Sequence, residues 1–192
     1  MCMNVCVFGA SSTEIDMSYI TATEELGEAL AAHDHTLVYG AGGSGLMGAV
    51  ARGMTRGGGY VIGVVPSFFK VDGILYEHCD EIVYTDTMRE RKQIMDERSN
   101  AVVVTPGGIG TYEEFFEIYT LKQLGKHNKP IVIFNINGYY DELLKLLEHT
   151  VQEKFMQESC LRLYTVATTP NQVIEQLNVF TESVSVEDTK YV

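Results

Sequence analysis

The sequence predicts a doubly wound α/β fold: a mostly parallel sheet with helices packed on both faces. Continuous β-branched runs of strand length recur along the chain, amphipathic helical patterns fall between them, and glycine-bearing loops follow several of the runs. Strands buried on both faces read as unbroken apolar runs, and helices between them are the crossovers that parallel pairing demands.

The first run, Asn4 to Phe8, leads through a loop to a helix carrying Ile20, Leu26 and Leu30 on one face. Thr36 to Tyr39 is the second strand, followed by a helix over Leu46 to Met54, and Tyr60 to Val65 is the third. Glu81 to Tyr84 precedes a helix over Met88 to Met95, and Ala101 to Thr105 precedes one over Phe115 to Leu124. Ile131 to Asn135 and Leu163 to Val166 complete the strands, with helices over Leu143 to Val151 and Val173 to Leu177. Thr87-x-x-Glu90, Thr111-x-x-Glu114 and Thr169-Pro170-x-Gln172 fit the capping box that opens a helix, the last with proline at the first helical position.

The 192 residues, 45% hydrophobic and 21% charged, suit one domain over residues 1–180, and core patterning gives way to a solvated tail over 181–192. A net charge of −12 argues against a binder of nucleic-acid polymers, which use Lys and Arg to displace counterions. Cys2, Cys6, Cys79 and Cys160 show no paired metal spacing and are expected to be reduced and mostly buried. The five histidines show no metal-triad spacing either, so neither a metal nor a cofactor is expected. The N-terminus has no basic segment leading into a long apolar run, and no stretch reaches membrane-spanning length, so a cytosolic location is expected.

In such sheets ligands bind beyond the carboxyl ends of the strands, where three glycine-bearing loops gather here. Gly9-Ala10-Ser11-Ser12 fits both an ordinary Gly/Ser turn and a donor loop for phosphate or ribose through Gly9, Ser11 and Ser12. Gly43-x-Gly45-x-x-Gly48 matches the dinucleotide pattern formally, but it follows the second strand and lacks the acidic residue that ribose recognition requires about 20 residues on. Tight helix packing and close backbone approach to a nucleotide, involving Gly43, explain it better.

The third loop, Pro106-Gly107-Gly108-Ile109-Gly110-Thr111-Tyr112-Glu113-Glu114, reads as a phosphate cradle, since glycines let backbone N–H groups approach an anion at a helix N-terminus. Glu113 and Glu114 suit a first helical turn on propensity alone, yet capping does not need the preceding glycines. The basic cluster Met88-Arg89-Glu90-Arg91-Lys92 would ordinarily be a solvated helical face. Its place at a helix N-terminus, where the macrodipole disfavours cations, and the helical spacing of Arg91 from Met88 and Met95 both count against that. Neither a G-x-S-x-G elbow nor a P-loop is present, which disfavours α/β-hydrolases and P-loop NTPases.

Over roughly residues 4–180 the chain resembles the LONELY GUY family of cytokinin-activating nucleoside 5′-monophosphate phosphoribohydrolases, once misnamed lysine decarboxylases. The diagnostic pair is Met88-x-x-Arg91-Lys92 and Pro106-Gly107-Gly108-x-Gly110-Thr111-x-x-Glu114. Supporting matches are Gly45-Leu46-Met47-Gly48, Gln123-Leu124-Gly125-x-His127-x-Lys129-Pro130 and Asn137-Gly138-Tyr139-Tyr140-Asp141. The resemblance implies catalysis by Arg91 and Glu114, a 5′-phosphate held by Gly107, Gly108, Gly110 and Thr111, and Met88, Lys92 and Glu113 lining the same pocket. It also implies a homodimer or an assembly of dimers. The second loop reads Gly40-Ala41-Gly42-Gly43 where relatives have three consecutive glycines, and the first reads Phe8-Gly9-Ala10-Ser11-Ser12 where Cys-Gly-Ser-Ser is common. The competing reading is a non-catalytic carrier of a nucleotide or of molybdenum cofactor. Pyridoxal-dependent decarboxylation fits poorly, because it needs a Schiff-base lysine with a dedicated cofactor pocket in a larger fold.

Overall fold

The computed structural model describes residues 2–69 and 73–180; the predicted tail lies outside them. Seven strands form one sheet in the order β4-β3-β2-β1-β5-β6-β7: β1 (Asn4–Phe8), β2 (Thr36–Tyr39), β3 (Val61–Pro66), β4 (Glu81–Thr85), β5 (Ala101–Val104), β6 (Ile131–Phe134) and β7 (Thr165–Ala167). Every pairing is parallel, as the continuous apolar runs require. The helices are α1 (Met17–Ala32), α2 (Gly45–Arg56), α3 (Met88–Glu97), α4 (Ile109–Gln123), α5 (Asp141–Gln152) and α6 (Pro170–Phe180).

Strand alternation divides the core into two layers. Val5, Val7, Leu37, Tyr39, Val103 and Phe134 join Leu26 and Leu30 of α1, Val50 and Met54 of α2, and Val173 and Leu177 of α6. Their neighbours Cys6, Phe8, Val38, Val102, Val104 and Ile133 face the other way, against Met95 of α3, Phe115 and Ile118 of α4, and Leu143 and Leu147 of α5. Each fully buried large apolar side chain contributes about 1.5–3 kcal/mol, which is why both faces must be covered. Cys6 and Cys160 are buried, Cys79 is half-buried and Cys2 is exposed, all as free thiols.

The strand order reverses at β1, which lies between β2 and β5. At this switch point the chains leaving β1 and β5 diverge and open a crevice. The loops after those strands are tied together: Thr105 N–H donates to the Phe8 carbonyl at 2.9 Å and Ala10 N–H to the Pro106 carbonyl at 3.0 Å.

Two of the predicted caps form, with Glu90 and Gln172 reaching back to Asp86 and Thr168 N–H, one residue before the cap. Thr87 Oγ1 accepts from Glu90 N–H at 3.1 Å, and Thr169 Oγ1 accepts from Gln172 N–H at 3.3 Å. The third does not, because α4 begins at Ile109, three residues before the Tyr112 start that a Thr111 cap implies, with extended Gly108 as its N-cap. Thr111 therefore lies inside the first turn, and Glu113 and Glu114 fall in the second, where neither caps the helix. Ile109 is 83% exposed, so the helix starts with a solvent-facing apolar residue that hides its periodicity. β7 also starts two residues late, after a short 3₁₀ turn over Glu158–Arg162.

Candidate active site

Every carbonyl of the loop entering α4 already has a donor. Thr105 O accepts from Tyr140 Oη at 2.7 Å, Pro106 O from Ala10 N–H, Gly107 O from Tyr139 Oη at 2.6 Å and Gly108 O from Tyr112 N–H at 3.1 Å. The N–H groups of Gly107 to Thr111 find no acceptor among the described residues. Carbonyls turned away and amides left open at a helix N-terminus make an anion site.

The glycines divide into two kinds. A Cβ on Gly107 would press into Thr111, with Thr111 Cβ at 2.6 Å, so Gly107 serves packing inside the protein. A Cβ on Gly108 or Gly110 would meet nothing within 4 Å, and neither residue has positive φ. The fold alone does not need glycine there, and both positions leave the backbone open to close approach. Gly110 and Glu114 are spaced i, i+4 and share one helix face, about 6 Å apart along the axis at 1.5 Å per residue.

Glu114 is nearly buried on that face, its side chain 12% exposed. Burial is the main cause that raises its pKa to about 7, and Glu113 adds to it, while the Arg91 guanidinium opposes the rise. Arg91 Nη1 lies 3.5 Å from Glu114 Oε1, and Arg91 Nε donates to the Val64 carbonyl of β3 at 3.2 Å. The guanidinium occupies the space a Cβ on Gly40 would take, with Cζ 3.0 Å from that position. Gly40, just beyond β2, and residues of β3, α3 and α4 thus frame one arginine–carboxylate pair. Beyond it a cleft of about 240 Å³ runs between α3 and α4, floored by Cys6, Phe8 and Val102.

The other predicted residues sit at varied distances from this centre. Lys92 Nζ bridges from α3 to α4, 2.5 Å from Glu113 Oε1 and 2.8 Å from Glu117 Oε2, so Glu113 is occupied by a lysine. Met88 is exposed at the start of α3, Ser11 and Ser12 are exposed in the first loop, and Thr111 is buried against Gly107. A Cβ on Gly9 would collide with Thr105 Oγ1 and press on Leu46 Cβ at 3.3 Å, so its glycine lets the first loop pack against the residue after β5 and against α2.

The second glycine loop has another task. Leu46 and Met47 N–H at the start of α2 both donate to the Ala10 carbonyl, at 2.8 and 3.2 Å, and Gly43 N–H donates to the Ile74 carbonyl at 2.9 Å. Gly45 has φ +58°, and a Cβ there would stand 2.5 Å from Ala10 O. The Gly43-x-Gly45-x-x-Gly48 pattern seats one loop on another, and the amides that would receive a phosphate are already in use. Sequence reasoning missed Gly40 and the clamping role of Tyr139 and Tyr140, although the Asn-Gly-Tyr-Tyr-Asp run pointed to their segment.

A family model described as possible lysine decarboxylase matches residues 47–177. A rice protein (Oryza sativa subsp. japonica) named as a probable cytokinin riboside 5′-monophosphate phosphoribohydrolase is 39% identical over 92% of this chain and 70% of its own length. An Arabidopsis thaliana protein named as a cytokinin riboside 5′-monophosphate phosphoribohydrolase is 34% identical over 92% of this chain and 83% of its own. Among solved structures, the molybdenum cofactor carrier protein of Chlamydomonas reinhardtii superposes with a TM-score of 0.74 over 95% of this chain and 100% of that one, at 22% identity, a likeness of fold alone. With the match to the plant enzymes extending over nine-tenths of its residues and the family model spanning 47–177, the chain belongs to the LONELY GUY family of phosphoribohydrolases, whose model keeps the older decarboxylase description.

Proposed function

We propose that this protein hydrolyses the N-glycosidic bond of adenosine-type nucleoside 5′-monophosphates, including N6-modified cytokinin precursors, to give free base and ribose 5-phosphate. One observation carries the reading: the open amides of Gly108 to Thr111 stand at the N-terminus of α4, one turn before the buried Glu114 carboxylate, which shares a helix face with Gly110, a spacing that suits a phosphate at one end and an anomeric carbon at the other.

The 5′-phosphate sits on the amides, where the α4 dipole favours negative charge. The C1′–N bond breaks with its electron pair going to the base, which takes up a proton from solvent. Positive charge builds on the ribose, and Glu114 stabilises it. Water bonds to C1′ and passes a proton to Glu114, whose pKa near 7 suits proton uptake at neutral pH. Arg91, anchored by its Nε donating to the Val64 carbonyl, pairs with Glu114 as an ion pair at 3.5 Å and offers its remaining guanidinium donors to the ribose hydroxyls. No group in this cycle is a metal or a cofactor.

The working unit is a homodimer or an assembly of dimers. In support, Ile109 and Phe116 leave apolar side chains exposed on α4. No helix among the described residues is long and apolar enough to cross a membrane. The location we propose is the cytosol.

The reading is tested by incubating the protein with AMP and N6-isopentenyladenosine monophosphate and separating products by chromatography. Free base and ribose 5-phosphate appear in equal amounts if it is right. Binding of either nucleotide without release of base would establish a carrier instead.

A further inference from the structure

The phosphate cradle contains a hinge that the fold must control. The peptide between Gly107 and Gly108 is flanked by residues with no Cβ, so the plane is free to turn over. In one orientation the Gly108 N–H faces the ligand side; in the other the Gly107 carbonyl does, presenting negative charge to an anion. Amide N–H and C=O point in opposite directions across a trans peptide, so fixing one fixes the other. Gly107 O is bound by Tyr139 Oη at 2.6 Å.

Tyr139 is built to keep that hold. It follows Asn137 and Gly138, both at positive φ (53° and 73°), which turn the chain back after β6. The turn is pinned by Asn135 Nδ2 donating to Asp141 Oδ1 at 2.7 Å and by Tyr140 N–H donating to Asn135 Oδ1 at 2.7 Å. Asn137 Nδ2 reaches Ser18 Oγ of α1 at 2.7 Å. The Tyr139 ring stands edge-on to Tyr19 and Tyr140, at centroid distances of 6.1 and 5.0 Å. Burial, and then Tyr112 beside it, hold the phenol above its usual pKa, so it keeps its proton and remains a donor.

We propose that Tyr139 is a positioning residue for the anion site: its hydroxyl locks the Gly107–Gly108 peptide with the Gly108 N–H toward the 5′-phosphate. This rests on the phosphate reading above and adds a residue outside the glycine loop to it. Tyr140 makes a bond of similar length one step earlier, to Thr105 O, but it lies wholly in the core and holds the strand end, not the glycine peptide.

The test compares wild type with Tyr139→Phe and Tyr140→Phe, which keep their rings. Equilibrium binding of ribose 5-phosphate is measured by calorimetry, alongside AMP kinetics. Tyr139→Phe should weaken ribose 5-phosphate about tenfold, as expected for one misdirected charge-assisted hydrogen bond, and raise KM for AMP by a similar factor with kcat far less affected. Tyr140→Phe should lower the melting temperature more than it lowers affinity. The clamp is overturned if Tyr139→Phe binds ribose 5-phosphate as tightly as wild type, or if both variants weaken it equally, which would mean general loosening of the loop. A wild type that binds ribose 5-phosphate but releases no base would sink the hydrolase reading and leave the clamp intact; one that does not bind it at all would remove both.

Discussion

The guanidinium of Arg91 lies over Gly40, in space that any side chain at the end of β2 would fill. A glycine far off in sequence thus decides where the arginine proposed for catalysis rests. Gly40→Ala forces Arg91 off Glu114, and because the displaced group is the end of a flexible side chain the fold absorbs the change. We expect kcat/KM to fall by roughly 10²-fold, the scale of an ångström-size misplacement, with stability within about 1 kcal/mol of wild type. Steady-state kinetics beside a urea melt check both halves.

Arg91 also meets two partners at once, donating to Val64 O through Nε and pairing with Glu114 across 3.5 Å through Nη1. Lysine has a single nitrogen and cannot hold both from one planar group. Arg91→Lys should therefore lose about 10²-fold or more in kcat although the charge is kept, with orientation as the cause. Recovery of most activity in that variant would show that charge alone suffices.

Glu114 links pH to both activity and stability. Its folded pKa, about 7, stands above the ordinary 4.5, so across that window the folded state holds more protons than the unfolded one. Stability from this group is thus fully present at low pH and lost as pH rises toward 7. Glu114→Gln, which mimics the neutral acid, should be more stable than wild type at pH 8, by at most about 3 kcal/mol at 1.36 kcal/mol per unit, and equal to it near pH 4. The same variant should lose at least about 10³-fold in turnover, and wild-type kcat/KM should fall about tenfold per unit below pH 6 as the base is protonated. Thermal melts at the two pH values and a pH–rate profile decide it; a destabilised variant at pH 8 would mean that the Arg91 partnership outweighs burial.

Strand and helix order was legible because burial on both faces leaves unbroken β-branched runs, and Asn4–Phe8 and Thr36–Tyr39 were read to the residue. The start of α4 was not, since Ile109 faces solvent and Gly108 and Gly110 look like loop. That error moved Glu114 into the first turn and gave it a capping role it does not have. Arg91 and Glu114 were marked by local pattern, but their contact depends on Gly40 and Val64, which lie far off in sequence. The Gly43-x-Gly45-x-x-Gly48 pattern shows the opposite limit: a glycine that admits a ligand and one that admits a neighbouring carbonyl look alike until the neighbour is seen.

Gly108 and Gly110 allow that distinction to be made by experiment. Alanine at either position meets no protein atom within 4 Å, and neither backbone conformation is left-handed, so the free protein should tolerate the change. Replacing glycine also reduces the freedom of the unfolded chain, which favours folding by about 0.4–1 kcal/mol where the native conformation suits alanine. Phosphate binding should respond in the other direction if the proposed seat is right, because the added methyl would crowd an anion held on those amides. Gly110→Ala should thus melt at or above the wild-type temperature while its KM for AMP rises about 10- to 100-fold, a loss of roughly 1.4–2.8 kcal/mol. Inorganic phosphate should compete with AMP in wild type and lose most of that effect in the variant. If the variant melts higher and still binds phosphate normally, the open space at Gly110 is not where the anion sits, and the 5′-phosphate must be held elsewhere.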